Sequence, residues 1–290
     1  MMRTEREMTD LILSAAKRED RIRAAYLNGS RANPAAPRDN FQDYDVVYVV
    51  TETAPFLADR AWLSGFGTPL LVQEPDANDF GWGEDADYTR SYTWLMLFSD
   101  GNRIDLHIAV PDAALADYGQ DSQTVPLLDK DGLLPPIPPA SDRSYHVRRP
   151  TAAQFSGCCN EFWWCLNNVA KGIARDELPY AQRMWNEYVR DMLDRMLEWK
   201  IGVRTDFSVS AGKLGKYFKR FLPPADYAAY AATYAGADYT ALWDAVDAGC
   251  ALFSRVAREN ADALGFSYRA EEEAGLREYL RMVRSGEIRP

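Results

Sequence analysis

The sequence predicts an α+β chain in which a mixed-sheet domain precedes an all-α domain. Three features predict it: β-branched and aromatic runs between residues 22 and 109 that include an Asp-Gly hairpin signal, a proline-rich break at 134–140, and helical periodicity beyond Pro150. At 290 residues the chain has room for two domains of the usual ~100–200 residues. The predicted division is residues 1–135, a linker over 136–150, and residues 151–290. The front half lacks a regular strand–helix alternation, which argues against a doubly wound parallel sheet.

Met8, Leu11, Ile12, Ala15 and Ala16 recur at the spacing of one helical face, so the chain opens on a helix. Ile22–Asn28 reads as a short strand stopped by Gly29, and Ala32–Asn40, with Pro34 and Pro37, as a loop. Asp43–Val50 is β-branched and aromatic, hence a strand, and Pro69–Gln73 is a weaker one. Ser91–Phe98 and Arg103–Ala109 flank Ser99-Asp-Gly-Asn102, a hairpin signal. Leu134-Pro-Pro-Ile-Pro-Pro-Ala140 cannot continue a helix or a central strand. In the second half, Met184, Tyr188, Met192 and Met196, with Trp185, Leu193 and Leu197, predict one wide apolar stripe. Asp238–Asn260 and Glu271–Arg284 predict helices, with Gly236 and Gly265 as stops.

The composition, 47% hydrophobic and 26% charged, is that of a soluble globular protein. No run approaches the ~18 apolar residues of a membrane span, and the N-terminus lacks the apolar stretch of a signal peptide. Cys158, Cys159, Cys165 and Cys250 form no Cys-x-x-Cys pair, and His107 and His146 are the only histidines, which disfavours a zinc site or a disulfide framework. Reduced thiols and a cytoplasmic location are the expectation. A net charge of −10 repels nucleic acid and suits cationic ligands. The oligomeric state is not legible.

The chemistry sits in Leu27-Asn-Gly-Ser-Arg31, Asp43-Tyr-Asp45 and Asp105. Residues two apart on a strand share a face, so Asp43 and Asp45 project side by side, a costly placement unless a cation or proton lies between them. Asp105 repeats the anomaly, because Ile104, Leu106 and Ile108 form the buried face of its strand. Three oxygen-donor acids without Cys or His predict a hard-cation site for Mg²⁺. Gly29 permits a tight turn in which backbone N–H groups approach an anion, Ser30 adds a hydroxyl, and Arg31 supplies a cation for a terminal phosphate. An anion site ahead of a paired-acid strand fits metal-assisted phosphoryl or nucleotidyl transfer, in which two ions clamp the attacking and leaving oxygens.

These motifs resemble the nucleotidyltransferase superfamily related to DNA polymerase β. More closely, Arg3-Thr-Glu-Arg-Glu-Met8, Asn28-Gly-Ser-Arg31, Phe41-Gln-Asp-Tyr-Asp45 and Leu95-Met-Leu-Phe98 resemble the aminoglycoside 6-adenylyltransferases. Asn102-Arg-Ile-Asp-Leu106, Cys159-Asn-Glu-Phe-Trp-Trp164 and Gly212-Lys213 extend the resemblance over nearly the whole chain. The resemblance implies transfer of an adenylyl group from ATP to the 6-hydroxyl of streptomycin, with magnesium required and pyrophosphate released. It implies Asp43, Asp45 and Asp105 as metal ligands and Ser30 as a phosphate contact. No motif assigns the base that activates the acceptor. Two alternatives stay open: the same fold with another acceptor, or a catalytically silent nucleotide-binding protein.

On the substrate side, Ala61–Thr89 holds no Lys or Arg but carries Glu74, Asp76, Asp79, Glu84, Asp85 and Asp87, with Phe80, Trp82 and Tyr88 among them. Glu84, Asp85 and Asp87 are the predicted contacts for the guanidinium groups of a cationic acceptor. Glu161, in Glu161-Phe-Trp-Trp164, joins them as a substrate-side carboxylate. Lys213 and Lys216, in a glycine-punctuated stretch that lacks the P-loop pattern, are the candidate triphosphate contacts. His107 shares a strand face with Asp105 and is expected to support it by hydrogen bonding rather than to bind metal.

Overall fold

The computed structural model describes residues 2–80, 82 and 86–290, and the chain divides into two compact units, Met1–Ser144 and Tyr145–Pro290. The first contains α1 (Glu5–Arg18), β1 (Ile22–Asn28), β2 (Tyr44–Val50), α2 (Ala54–Ala58), β3 (Pro69–Gln73), α3 (Pro75–Phe80), β4 (Ser91–Phe98), β5 (Arg103–Ala109), α4 (Pro111–Asp117) and β6 (Val125–Asp129). The sheet runs in the order β3-β4-β5-β2-β1-β6. β2 and β5 pair in parallel, and the other neighbours are antiparallel.

Strand alternation divides the sheet into two faces. Tyr44, Val46 and Tyr48 of β2, Ile104, Leu106 and Ile108 of β5, and Trp94, Met96 and Phe98 of β4 are buried together against Met8, Ile12 and Ala16 of α1. Helix α1 is held at its start by a Thr4–Glu7 capping box. Arg3 anchors it to the hairpin turn through Asp100, whose carboxyl stays ionised far below the usual range because that guanidinium bonds it. On the opposite face Ala24, Tyr26, Val47, Val49 and Ala109 pack beneath Ala114 and Tyr118. Leu133, Leu134 and Ile137 complete that layer, and Ser141 donates its backbone N–H to Ser122. The first part of the stretch predicted as a linker over 136–150 is therefore laid onto the sheet unit. Its prolines hold it extended while Ile137 reaches the core. Strand β6 escapes the sequence reading because Pro126 interrupts it, yet it lies at the sheet edge, where a missing N–H is tolerated.

The second unit is helical: α5 (Ala152–Ala174), α6 (Leu178–Arg183), a π-helical turn (Met184–Val189), α7 (Arg190–Arg204), α8 (Phe218–Phe221), α9 (Pro224–Ala231), α10 (Tyr239–Leu264) and α11 (Ala270–Ser285). Its core is tied by the Phe162–Phe253 stack at 3.7 Å. The predicted stripe on Met184 and Tyr188 is rotated. Trp185, Leu193, Met196 and Leu197 of the predicted stripe are fully buried and Val189 joins them from the π turn, while Tyr188 is left half exposed. Asp238 caps α10, and Gly265, left-handed at φ 73°, ends it. All four cysteines are free and buried, and burial raises their thiol pKa values. Among the described residues no helix is long and apolar enough to cross a membrane.

Candidate active site

The parallel β2–β5 pairing sets Asp45 directly beside Asp105, and the antiparallel ladders continue the row to Asn28 on one side and Leu95 on the other. Asp43 precedes β2 by one residue and stands next to this row. The three carboxylates bring one oxygen each within 4.8 Å of one another, the one acidic cluster of metal-binding geometry among the described residues. Burial, then the charges of Asp43 and Asp105, push the Asp45 carboxyl up to about 7. Burial is the larger cause and like-charge repulsion the smaller, and a cation among the three carboxylates would relieve the second. The donor set of hard oxygens fits Mg²⁺.

One cation already stands there. Arg103 donates from Nε and Nη2 to the two oxygens of Asp105 at 2.7 and 2.6 Å, and its Nε lies 4.0 Å from Asp43 Oδ2. Its side chain is 47% exposed. Strand alternation puts Arg103 on the face of Asp105, a signal present in the sequence but unused there.

Gly29 follows β1 with φ +74°, and a Cβ at that position would overlap Asp45 Oδ2. The glycine therefore answers two demands, left-handed backbone and close approach to a carboxylate. Ser30 Oγ accepts a hydrogen bond from Gln42 Nε2 at 3.2 Å. Gln42 Oε1 is buried without a partner, so this amide is incompletely satisfied beside the turn. Arg31, predicted as a phosphate contact, is instead a strut. It is 7% exposed, donates to the Gln42 carbonyl, lies 4.0 Å over the Tyr44 ring and pairs with Glu5. A guanidinium held on all these sides is not free for an anion. His107 meets Thr93 Oγ1 at 2.8 Å, Thr93 donates its backbone N–H to Asp76, and burial lowers the imidazole pKa.

The acidic segment is less open to a ligand than its composition implies. Glu74 bonds Arg60 and Tyr92. Asp87, exposed, accepts from the Thr89 N–H and hydroxyl in its own turn, which lowers its pKa. Glu84 and Asp85 lie outside the described residues. Glu161 is exposed on α5 and accepts from Cys165 Sγ.

Lys213 belongs to the second unit, where it lines a cavity of about 790 Å³ together with Arg148, Arg149, Asp194 and Glu198. Lys216 sits over the Tyr217 ring at 5.2 Å. Asp194 and Glu198, four residues apart on α7, were not singled out in the sequence. Burial raises the Asp194 carboxyl to about 6, and Glu198 is raised by burial and then by Asp194. An acid whose folded pKa exceeds its unfolded value loses stability as pH climbs from the unfolded pKa to the folded one. Asp194→Asn is therefore expected to raise stability by about 1–2 kcal/mol above pH ~6 and to change little below pH ~4, checked by thermal melts at the two extremes.

With the geometry in place, comparison with known proteins adds a second line. The streptomycin adenylyltransferase family matches residues 2–283. An aminoglycoside 6-adenylyltransferase from Bacillus subtilis (strain 168) is 36% identical over 280 residues, covering 96% of this chain and 97% of the relative. One from Campylobacter jejuni is 36% identical over 274 residues, covering 94% and 93%. A crystal structure of an aminoglycoside 6-adenyltransferase from Bacillus subtilis covers 98% of this chain and 99% of its own, at 31% identity and a TM-score of 0.49.

Proposed function

We propose that this chain, which belongs to the streptomycin adenylyltransferase family, moves the adenylyl group of ATP onto an aminoglycoside, with the 6-hydroxyl of streptomycin as acceptor. The chain is a nucleotidyltransferase. The observation that carries the reading is the convergence of Asp43, Asp45 and Asp105 beside the Gly29-Ser30 turn. In the reaction the acceptor oxygen bonds the α-phosphorus, the bond to the bridging oxygen breaks, and pyrophosphate leaves. The hydroxyl proton passes to a carboxylate of the cluster. Asp43, Asp45 and Asp105 would hold magnesium, two ions in this reading, which would supply charge neutralisation for the phosphates. Gln42 orients the Ser30 hydroxyl toward a phosphate oxygen, and the Gly29 turn keeps the backbone close to Asp45. Glu84, Asp85 and Glu161 are the proposed carboxylates for the cationic acceptor, and Lys213 and Lys216 the proposed phosphate contacts. The net charge of −10 favours arrival of a polycation.

The test is incubation with ATP, Mg²⁺ and streptomycin, followed by mass analysis of the drug. The expected product carries one added adenylate, located by fragmentation at the 6-hydroxyl, with one pyrophosphate released per product. Streptomycin left unmodified while another aminoglycoside gains the adenylate changes the acceptor and keeps the chemistry. Nucleotide binding without pyrophosphate release across an aminoglycoside panel overturns the enzymatic reading.

A further inference from the structure

Arg103 has a place in the site that the metal ligands alone do not explain. Its guanidinium fork occupies both oxygens of Asp105, at 2.7 and 2.6 Å, and its Nε stands 4.0 Å from Asp43. A divalent ion that uses Asp43 and Asp105 must approach the atoms this arginine holds, and the two cations repel at such range. Arg103 is also the half-exposed member of the group, at 47%, against 32% for Asp43 and 18% for Asp105. It stands at the first residue of β5, next to the hairpin turn, where its side chain has room to leave the carboxylates. A planar guanidinium bonds phosphate as readily as carboxylate.

We propose that Arg103 is a tethered counter-ion, bound to Asp105 and Asp43 in the free enzyme, that transfers to the phosphate chain of the incoming nucleotide. This inference rests on the metal-dependent reading of the cluster given above. Its consequence is thermodynamic. Without nucleotide, Arg103 competes with the divalent ion and weakens its binding. With nucleotide present, the arginine has a second anion to pair with, and the carboxylates are released to the metal. Nucleotide and metal then strengthen each other's binding by an equal factor, as linkage requires. In this scheme Arg103 acts on the metal through the carboxylates and contacts the nucleotide phosphates directly.

The experiment is calorimetric titration of Mn²⁺ into the full chain, alone and with a non-hydrolysable ATP analogue, for wild type, R103M and R103K. Wild type is expected to bind Mn²⁺ weakly alone and more tightly with the analogue. R103M is expected to bind Mn²⁺ alone about tenfold more tightly, because a unit positive charge has left the site, and to lose most of the gain the analogue confers. R103K, with the charge but not the fork, is expected to fall between the two. A thermal melt of each variant accompanies the titration, and R103K serves as the measured variant if R103M does not fold. Unchanged or weaker Mn²⁺ binding in the variants, where wild type does bind the ion and D45N does not, overturns the counter-ion role while leaving the metal site standing. No Mn²⁺ binding to wild type, with or without the analogue, overturns the metal reading itself.

Discussion

Asp45→Asn is expected to reduce kcat/KM by on the order of 10³-fold while leaving the metal-free protein at least as stable as wild type. The two effects have one origin. Asp45 is largely buried between two other acids, and its carboxyl is raised to about 7 by that burial and by their charge. The substitution relieves the repulsion and at the same time removes a ligand atom from the cluster. In the metal-free protein the folded pKa lies above the unfolded one, so the ionised Asp45 costs stability increasingly as pH rises from about 4 to about 7, at roughly 1.4 kcal/mol per unit. The variant should show a flatter pH dependence of its melting temperature over that window, beside nearly absent turnover. Full residual activity would remove Asp45 from the site. A large loss of stability would mean the carboxylate has a structural partner that the geometry does not reveal.

Gly29→Ala is expected to lose activity to a similar degree, by the opposite route. The position is left-handed, which costs a side-chain-bearing residue about 1–2 kcal/mol, and the new methyl would meet Asp45 Oδ2. Either the turn or the carboxylate has to move. Turnover should fall at least ~10²-fold, since misplacement by about an ångström suffices for that, and the melting temperature should fall by several degrees. The pair of variants is diagnostic. Loss of activity accompanies a stability gain at Asp45 and a stability loss at Gly29, as read by steady-state kinetics and melts on the same preparations. A fully active G29A would separate the turn from the carboxylate.

Much of this was legible in advance for reasons specific to each segment. Strand β5 announces Asp105 because period-two alternation sets it opposite Ile104, Leu106 and Ile108, and β2 announces Asp45 because a carboxylate there shares a face with the apolar Val47 and Val49. The hairpin between β4 and β5 is equally local, fixed by Asp100-Gly101. The register that sets Asp45 against Asp105 was not legible, because it depends on docking strands with α2, β3, α3 and β4 between them in the chain. Arg31 was misread for the same reason. Its neighbours in sequence look exposed, whereas the Gln42 carbonyl and the Tyr44 ring that enclose it come from the far end of the loop and the first residue of the next strand. Asp87 shows the reverse case, a local competition visible in Asp87-Tyr-Thr89 but outweighed by the acidity of its surroundings. The shifted stripe near Tyr188 follows from one π turn, a backbone choice that side-chain periodicity does not encode.

The side-by-side parallel strands carry a further implication for how the enzyme comes to life. Contacts between chain-distant parallel strands are the slow ones to form, because a long loop has to close before they return any free energy. A molecule that has formed its hairpin and its helical half but not this pairing holds its acids apart. Catalytic competence therefore requires the β2–β5 seam, and a copy in which that seam is open is expected to be inert.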